Sequence, residues 1–208
     1  MNGMVSLITP LLLHMIVSEI TAALLGSRFD SAVCTSVAAL LVIPAAGFMY
    51  FRDRQKQAGA ESDISPSVHP VLFGIFYFLA GIILNLIWSG ILNMFHITSF
   101  FSNTAQERLL ASGAAVQIIG LGVLVPVAEE LVFRGLIYTR MKRFLPVRIS
   151  VFLSALLFAV YHGNPIQMIF AFPMSIALAA VFERGKLFVF PLLFHMGANL
   201  MAVFANFF

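Results

Sequence analysis

Three short segments place acidic, imidazole and amide side chains inside strongly apolar stretches of the sequence. They are EELVFR at 129–134, FAVYH at 158–162 and HMGAN at 195–199. A carboxylate can take a proton from water, and a histidine can align that water or return a proton to a leaving amine. A second histidine and an asparagine can stabilise a developing oxyanion. Together these residue types are typical of a peptidase that activates water.

The first segment separates the roles of two adjacent glutamates. Glu129 and Glu130 point about 100° apart on an α-helix, so only one of them can share a face with Arg134. Glu130 lies four residues before Arg134, in the order that favours a helical ion pair. Glu129 is therefore predicted to face elsewhere, without a local cation. The alternative is a purely structural clamp, in which the three charged groups hold helices together.

The other two segments each repeat a side chain at helical spacing. Phe158 and His162 are four residues apart, and so are His195 and Asn199. We expect each pair to lie on one face of its helix. Each also has a simpler interpretation. His162 could be a helix-end histidine bonded to a carbonyl, and the second pair could be a polar contact between helices.

The chain has the composition of a membrane protein. Of its 208 residues, 61% are hydrophobic and 10% are charged, against about 45–50% and about 25% in soluble domains. This composition excludes an ordinary soluble enzyme, a disordered protein and a coiled coil. The basic residues form loop clusters rather than one large face, which excludes a nucleic-acid partner. The composition predicts the lipid bilayer as a partner, and the peptidase-like residues described above predict a peptide or small membrane protein as substrate.

We predict an all-α membrane protein, a single domain over 1–208 with about seven transmembrane helices, because a span needs about 20 apolar residues. The apolar stretches are 4–26, 32–51, 70–93, 110–138, 147–162, 165–182 and 187–207. The first stretch is expected to be a retained helix rather than a cleaved signal peptide, since it carries Glu19 and follows no Lys or Arg. Nine Lys and Arg residues lie in the breaks after the even-numbered stretches and two after the odd-numbered ones. This bias predicts an inside N-terminus and an outside C-terminus.

Counting from the basic loops places the three segments at a similar depth. Glu129, His162 and His195 lie about 16, 21 and 13 Å along their helices from the nearest inside loop. We therefore expect one polar site near the middle of the bilayer, enclosed by helices because polar groups at that depth need partners. The same three residues could instead hold a zinc ion with an open fourth position. The sequence contains neither HExxH nor GxSxG, which argues against the common soluble zinc-protease and serine-hydrolase patterns.

Taken in order, the three segments resemble the EExxxR, FxxxH and HxxxN motifs of the CPBP intramembrane proteases. That family includes the CAAX prenyl endopeptidases of the Rce1 type and the bacterial Abi proteins. The resemblance covers 108–208, as a catalytic core within the single domain, and implies an integral-membrane endopeptidase. It implies that Glu129 activates water, that His162 assists, that His195 and Asn199 form the oxyanion hole, and that Glu130, Arg134 and Phe158 are supporting residues.

The resemblance leaves the metal and the substrate open. The family is labelled metalloprotease, and a metal-free glutamate–histidine mechanism is also argued for it. Its bacterial relatives are linked to peptide processing and self-immunity. The implied setting is a bacterial plasma membrane, with a leader peptide, a small membrane peptide or a prenyl-like lipopeptide as substrate.

Two other functions remain open. A transporter or proton-conducting bundle could use His14, Glu19, Asn85 and Gln117 along a polar path, although the two similar halves common in transporters are not evident. A non-catalytic immunity or scaffold protein could keep the same fold, although all three motifs remain filled. Otherwise, we interpret His14 and Glu19 as interhelical contacts.

Overall fold

The computed structural model describes residues 3–57, 69–101 and 104–207, and within these ranges the chain contains helices and no strand. The helices are α1 (Gly3–Leu25), α2 (Ser31–Gln57), α3 (Pro70–Met94), α4 (Ile97–Phe100), α5 (Thr104–Leu110), α6 (Ala114–Met141), α7 (Val147–Tyr161), α8 (Pro165–Gly185) and α9 (Val189–Ala205). The seven longer helices lie where the apolar stretches were predicted. The predicted all-α membrane architecture is therefore confirmed.

The number of helices that can cross a membrane differs from the expected seven. Among the described residues, five helices are long and apolar enough: α1, α2, α3, α6 and α8. Helices α7 and α9 are apolar but have 15 and 17 residues, and a hydrocarbon core of about 30 Å needs about 20. Helix α7 is short because Pro146 precedes its first turn and Gly163, at a φ of 65°, follows its end.

The outer faces of the bundle are apolar. Leu24, Phe48 and Val71 are 65–71% exposed, and many other large apolar side chains are exposed in the same way. A soluble protein rarely presents so much contiguous apolar surface. These faces fit contact with lipid, in keeping with an integral membrane protein.

Helix α6 is the central element of the bundle. Within an apolar 18-residue stretch of α6, 61% of the residues are buried, whereas the corresponding share is 17–39% in the other four helices long enough to cross a membrane. Phe133, Leu136 and Ile137 are buried in a core that also contains Val42 of α2 and Phe158 of α7. Two stretches of α6, Gln117–Leu124 and Leu131–Tyr138, are π-helical. Such widened turns are frequent at functional sites.

Helices α3 and α9 pack against each other over an extensive interface. Their backbones meet at two glycines, where a side chain does not fit. A Cβ on Gly81 would lie 1.9 Å from the carbonyl oxygen of Phe194, and one on Gly197 would lie 2.2 Å from that of Phe78. The absence of side chains at Gly81 and Gly197 therefore permits the close approach of the two helices.

One end of the bundle, which we call the basic end, is closed by ion pairs between helix termini. It comprises the last turns of α2, α6 and α8. Asp53 accepts from Arg140 at 2.7 Å and lies 3.6 Å from Arg143. Glu183 binds Lys142 and also Lys186, at 3.2 Å from the latter. These contacts tie three helix ends together through six charged groups.

Candidate active site

A buried ion pair within α6 supports the candidate site from behind. Arg134 Nη1 lies 3.1 Å from Glu130 Oε1, and the two side chains are 2% and 0% exposed. The i, i+4 spacing predicted this pair. Arg134 also donates through Nη2 to the Ser175 hydroxyl of α8 at 2.8 Å, and its guanidinium carbon lies 4.5 Å from the centre of the Phe158 ring. The pair therefore links α6 to α7 and α8.

His195 of α9 joins the two glutamates. Its Nδ1 donates to Glu130 Oε1 at 2.8 Å, since an ionised carboxylate can only accept. Its Nε2 lies 3.6 Å from Glu129 Oε2. One ring edge is therefore fixed by the buried ion pair, and the other faces the glutamate that has no local cation. A carboxylate that accepts from one ring nitrogen in this way fixes the orientation of the imidazole and the position of its other nitrogen.

Phe158 spaces the two histidines. Its ring centre lies 4.9 Å from that of His162 and 5.9 Å from that of His195. His162 caps the end of α7, and its Nδ1 donates to the Phe158 carbonyl at 2.8 Å. The simpler interpretation of His162, a helix-end histidine bonded to a carbonyl, is thus present in the structure. That bond uses Nδ1 and leaves Nε2 for other partners.

Asn199 lies one turn beyond His195 on α9. Its amide nitrogen donates to the carbonyl oxygen of Leu121 at 3.0 Å, in the first π-helical stretch of α6. The expected interhelical polar contact is therefore also present. An amide nitrogen carries two protons, so one donor of Asn199 remains.

A cavity of about 800 Å³ brings the predicted catalytic residues together. Its walls include Glu129, His162, His195 and Asn199. Glu130 and Arg134 are not among the residues that line it; they are buried behind this wall. Ligand sites are usually concave, largely apolar and furnished with a few convergent polar groups. The structure thus separates the accessible polar groups from the supporting ion pair.

Sequence reasoning missed Tyr161, which also lines the cavity. Its hydroxyl lies 3.2 Å from His14 Nε2 of α1, the two rings stack with centres 4.9 Å apart, and Ser18 bonds the same hydroxyl. The signal was its position next to His162. His14 makes the interhelical contact expected of it. Glu19 differs from that expectation, because it is exposed and lines the cavity.

The possible zinc ligands predicted from sequence are Glu129, His162 and His195. Among the described residues, no group of three or more His, Cys, Asp or Glu side chains is arranged to hold a metal ion. Both histidines commit Nδ1 to protein acceptors. Each of these bonds leaves Nε2 available, as in metal-binding histidines, but in the arrangement described Glu129, His162 and His195 do not form such a group.

Comparison with known families identifies the segment that carries the site. Residues 111–201 match the family model for type II CAAX prenyl endopeptidase Rce1-like proteins. The comparison with curated proteins gave no match, and neither did the comparison with solved structures. The matched segment contains all three motifs, so the resemblance inferred from them is confirmed. For the segment 111–201, this family match suggests a CAAX-type intramembrane protease, a class of hydrolase.

Proposed function

We propose that the chain is an integral-membrane endopeptidase that hydrolyses a peptide bond in a membrane-associated, lipidated or leader peptide. The observation that carries this proposal is that Glu129, His162, His195 and Asn199 line one cavity. The family match of 111–201 supports the same reaction class. The proposed setting is a bacterial plasma membrane, with the N-terminus inside and the C-terminus outside.

In the proposed reaction, Glu129 takes a proton from a water molecule. The water oxygen bonds to the scissile carbonyl carbon, and the carbonyl electron pair moves to oxygen. His162 aligns the water through Nε2, the nitrogen that its bond to Phe158 leaves available. The distance of 3.6 Å between Glu129 Oε2 and His195 Nε2 is long for a direct hydrogen bond. It suits an indirect contact, in which water or substrate bonds both groups.

The oxyanion is stabilised by two donors from α9. Doubly protonated His195, with one proton held by Glu130, donates through Nε2, and Asn199 donates its second amide proton. The carbon–nitrogen bond then breaks as Glu129 returns the proton to the leaving amine. Glu130 and Arg134 take no part in proton transfer, because they are buried outside the cavity; they fix the ring of His195.

The test is cleavage by purified protein in detergent. Three fluorescence-quenched probes are used: a farnesylated peptide with a CAAX terminus, the same peptide without farnesyl, and a leader-type peptide. We expect cleavage of at least one probe by the parent chain and its loss in Glu129→Ala. Glu107→Ala is the matched control, since Glu107 is an exposed glutamate on α5 that does not line the cavity. A Glu129→Ala protein that cleaves as well as the parent would refute the assignment.

A further inference from the structure

The cavity occupies one end of the bundle. It is lined from Ser31 to Thr35 on α2, from Asn85 to Asn93 on α3, and from Ala105 to Leu110 on α5. These positions lie at the start of α2, at the end of α3 and in the connection that follows it. We call this the cavity end. Ser31 and Arg108 are exposed there, so the cavity reaches the surface at this end.

The lining stops well short of the opposite end. On α6 its last member is Glu129, twelve residues before Met141, and on α2 it is Thr35, although α2 runs to Gln57. On α7 the first member is Phe158, near the end of the helix. Beyond these positions lie the buried Glu130–Arg134 pair and then the ion pairs of the basic end. Two layers of paired charges therefore separate the cavity from that end.

The charge distribution assigns the two ends to opposite sides of the membrane. Nine Lys and Arg residues lie near the helix termini at the basic end, including Arg148 at the start of α7, whereas the cavity end carries Arg28 and Arg108. Cytoplasmic segments are enriched in Lys and Arg, and this bias sets the orientation of a bundle. The cavity end is therefore the side that is translocated.

We infer that the active-site cavity opens to the extracytoplasmic side, so that the substrate is a peptide segment presented from outside the cell. The inference rests on the proposed function for the identity of the occupant, and on the cavity and the charge bias for the direction of access. A substrate of this kind is the outer part of a membrane-anchored peptide or an exported leader. A cytoplasmic prenylated C-terminus would reach the closed basic end.

The wall of the cavity suits a peptide. Asn85, Ser89 and Asn93 recur every four residues along α3, so their amide and hydroxyl groups form one row beside the site. Such groups can exchange hydrogen bonds with a peptide backbone. Apolar residues such as Leu86 and Phe170 supply the remaining wall. The row leads from the exposed end of α3 toward His195.

The direction of access can be measured without a substrate. The only cysteine, the buried Cys34, is replaced by alanine. Ser31→Cys and Gln55→Cys are then made separately, which places single thiols at exposed positions near the two ends of the same helix, α2. Intact cells are treated with a membrane-impermeant maleimide before and after permeabilisation. We expect full labelling of Ser31→Cys in intact cells, and labelling of Gln55→Cys only after permeabilisation.

A second pair of variants tests whether the cavity itself opens outward. Ala202→Cys lies in the cavity wall, and Ala155→Cys lies at a fully buried position outside it. A small impermeant thiosulfonate should label Ala202→Cys in intact cells and leave Ala155→Cys unlabelled. When the same reagent is added to sealed inside-out vesicles, Ala202→Cys should remain unlabelled.

Either the reverse pattern or labelling of both ends in intact cells overturns the inference. Labelling of Ala202→Cys from inside-out vesicles alone overturns it as well. These readouts do not depend on cleavage. A failure of the proposed function would appear as cleavage retained in Glu129→Ala, whereas a failure of this inference would appear in the labelling pattern.

Discussion

Glu129 and Glu130 are neighbours of the same type in very different surroundings. Glu129 lines the cavity and faces His195 across 3.6 Å. Glu130 is 0% exposed and is held by Arg134 and by the other edge of the same imidazole. One residue along α6 thus separates a group that can exchange protons with a substrate from a group that can only hold others in place. Activity and stability should therefore respond to different substitutions.

The largest expected effect is on catalysis and concerns Glu129, the glutamate that lines the cavity. Glu129→Gln keeps the shape of the side chain and removes the proton acceptor. We expect cleavage to fall by about 10²–10⁴-fold, the range for a general base, with an unchanged Tm. The measurements are kcat by chromatographic product analysis and thermal unfolding in detergent. A large fall in Tm would instead assign Glu129 to the structural clamp.

The next largest effect is on stability and concerns Glu130, the buried glutamate, through its ion pair with Arg134. Arg134→Ala removes the guanidinium paired with the buried Glu130, and breaking a buried ion pair costs about 3–5 kcal/mol. We expect a marked loss of folded yield and Tm. The double variant Glu130→Ala, Arg134→Ala should recover part of the Tm but none of the cleavage, because His195 then lacks its orienting carboxylate. Equal loss of Tm in the single and double variants would contradict the pairing.

A smaller effect is expected at Tyr161, and it tests whether this cavity-lining residue contributes to activity. Tyr161→Phe keeps the ring that stacks on His14 but removes the hydroxyl that lines the cavity. One hydrogen bond is worth about 0.5–1.5 kcal/mol, so we expect kcat/KM to fall by about 2–10-fold. Tyr50→Phe is the control, since that hydroxyl bonds Arg54 away from the cavity. Identical kinetics in both variants would limit Tyr161 to packing.

The smallest effect concerns the cavity end. Asp30 accepts from the Ser112 hydroxyl at 2.6 Å and from the Val33 amide at 3.0 Å, at the start of α2. These hydrogen bonds, that of Ser112 foremost, hold the pKa of Asp30 below its ordinary 3.8. Because the folded-state pKa is the lower one, the carboxylate stabilises the fold above the ordinary pKa and loses this contribution as pH falls through the folded-state pKa.

We therefore expect Asp30→Ala to have a slightly lower Tm than the parent at neutral pH. The difference should disappear as the pH is lowered below 3.8. Asp30→Asn keeps a capping oxygen without the charge, so its Tm relative to Asp30→Ala should not vary with pH. A difference between the parent and Asp30→Ala that grows in acid would show that another group titrates.

The local parts of the site could be predicted from sequence, because they depend on contacts within one helix. The i, i+4 rule gave the Glu130–Arg134 pair and the shared face of Phe158 and His162. The bond from His195 to Glu130 joins residues 65 positions apart and follows only from helix packing. Tyr161 was missed for the same reason, since its partner lies on α1.

The fold was predictable in outline and less so in its dimensions. Apolar runs located the long helices, because lipid-facing and buried residues are both apolar and leave only the loops polar. Hydropathy does not detect where a helix stops within an apolar run, so the sequence predicts full spans at α7 and α9 although these helices have 15 and 17 residues. The π-helical stretches of α6 leave no compositional trace, yet they set the position of the Leu121 carbonyl that Asn199 binds.

Because the backbones of α3 and α9 are in contact, the geometry of the site depends on the absence of a side chain at Gly81 and at Gly197. Gly81 belongs to α3, which lies outside the matched segment 111–201, and it abuts the turn of α9 that begins at Phe194. A methyl group at Gly81 or Gly197 would act as a wedge between the helices and swing the His195 ring off its carboxylates. The chemistry could thus be switched off by steric bulk alone, with every reactive group still in the sequence.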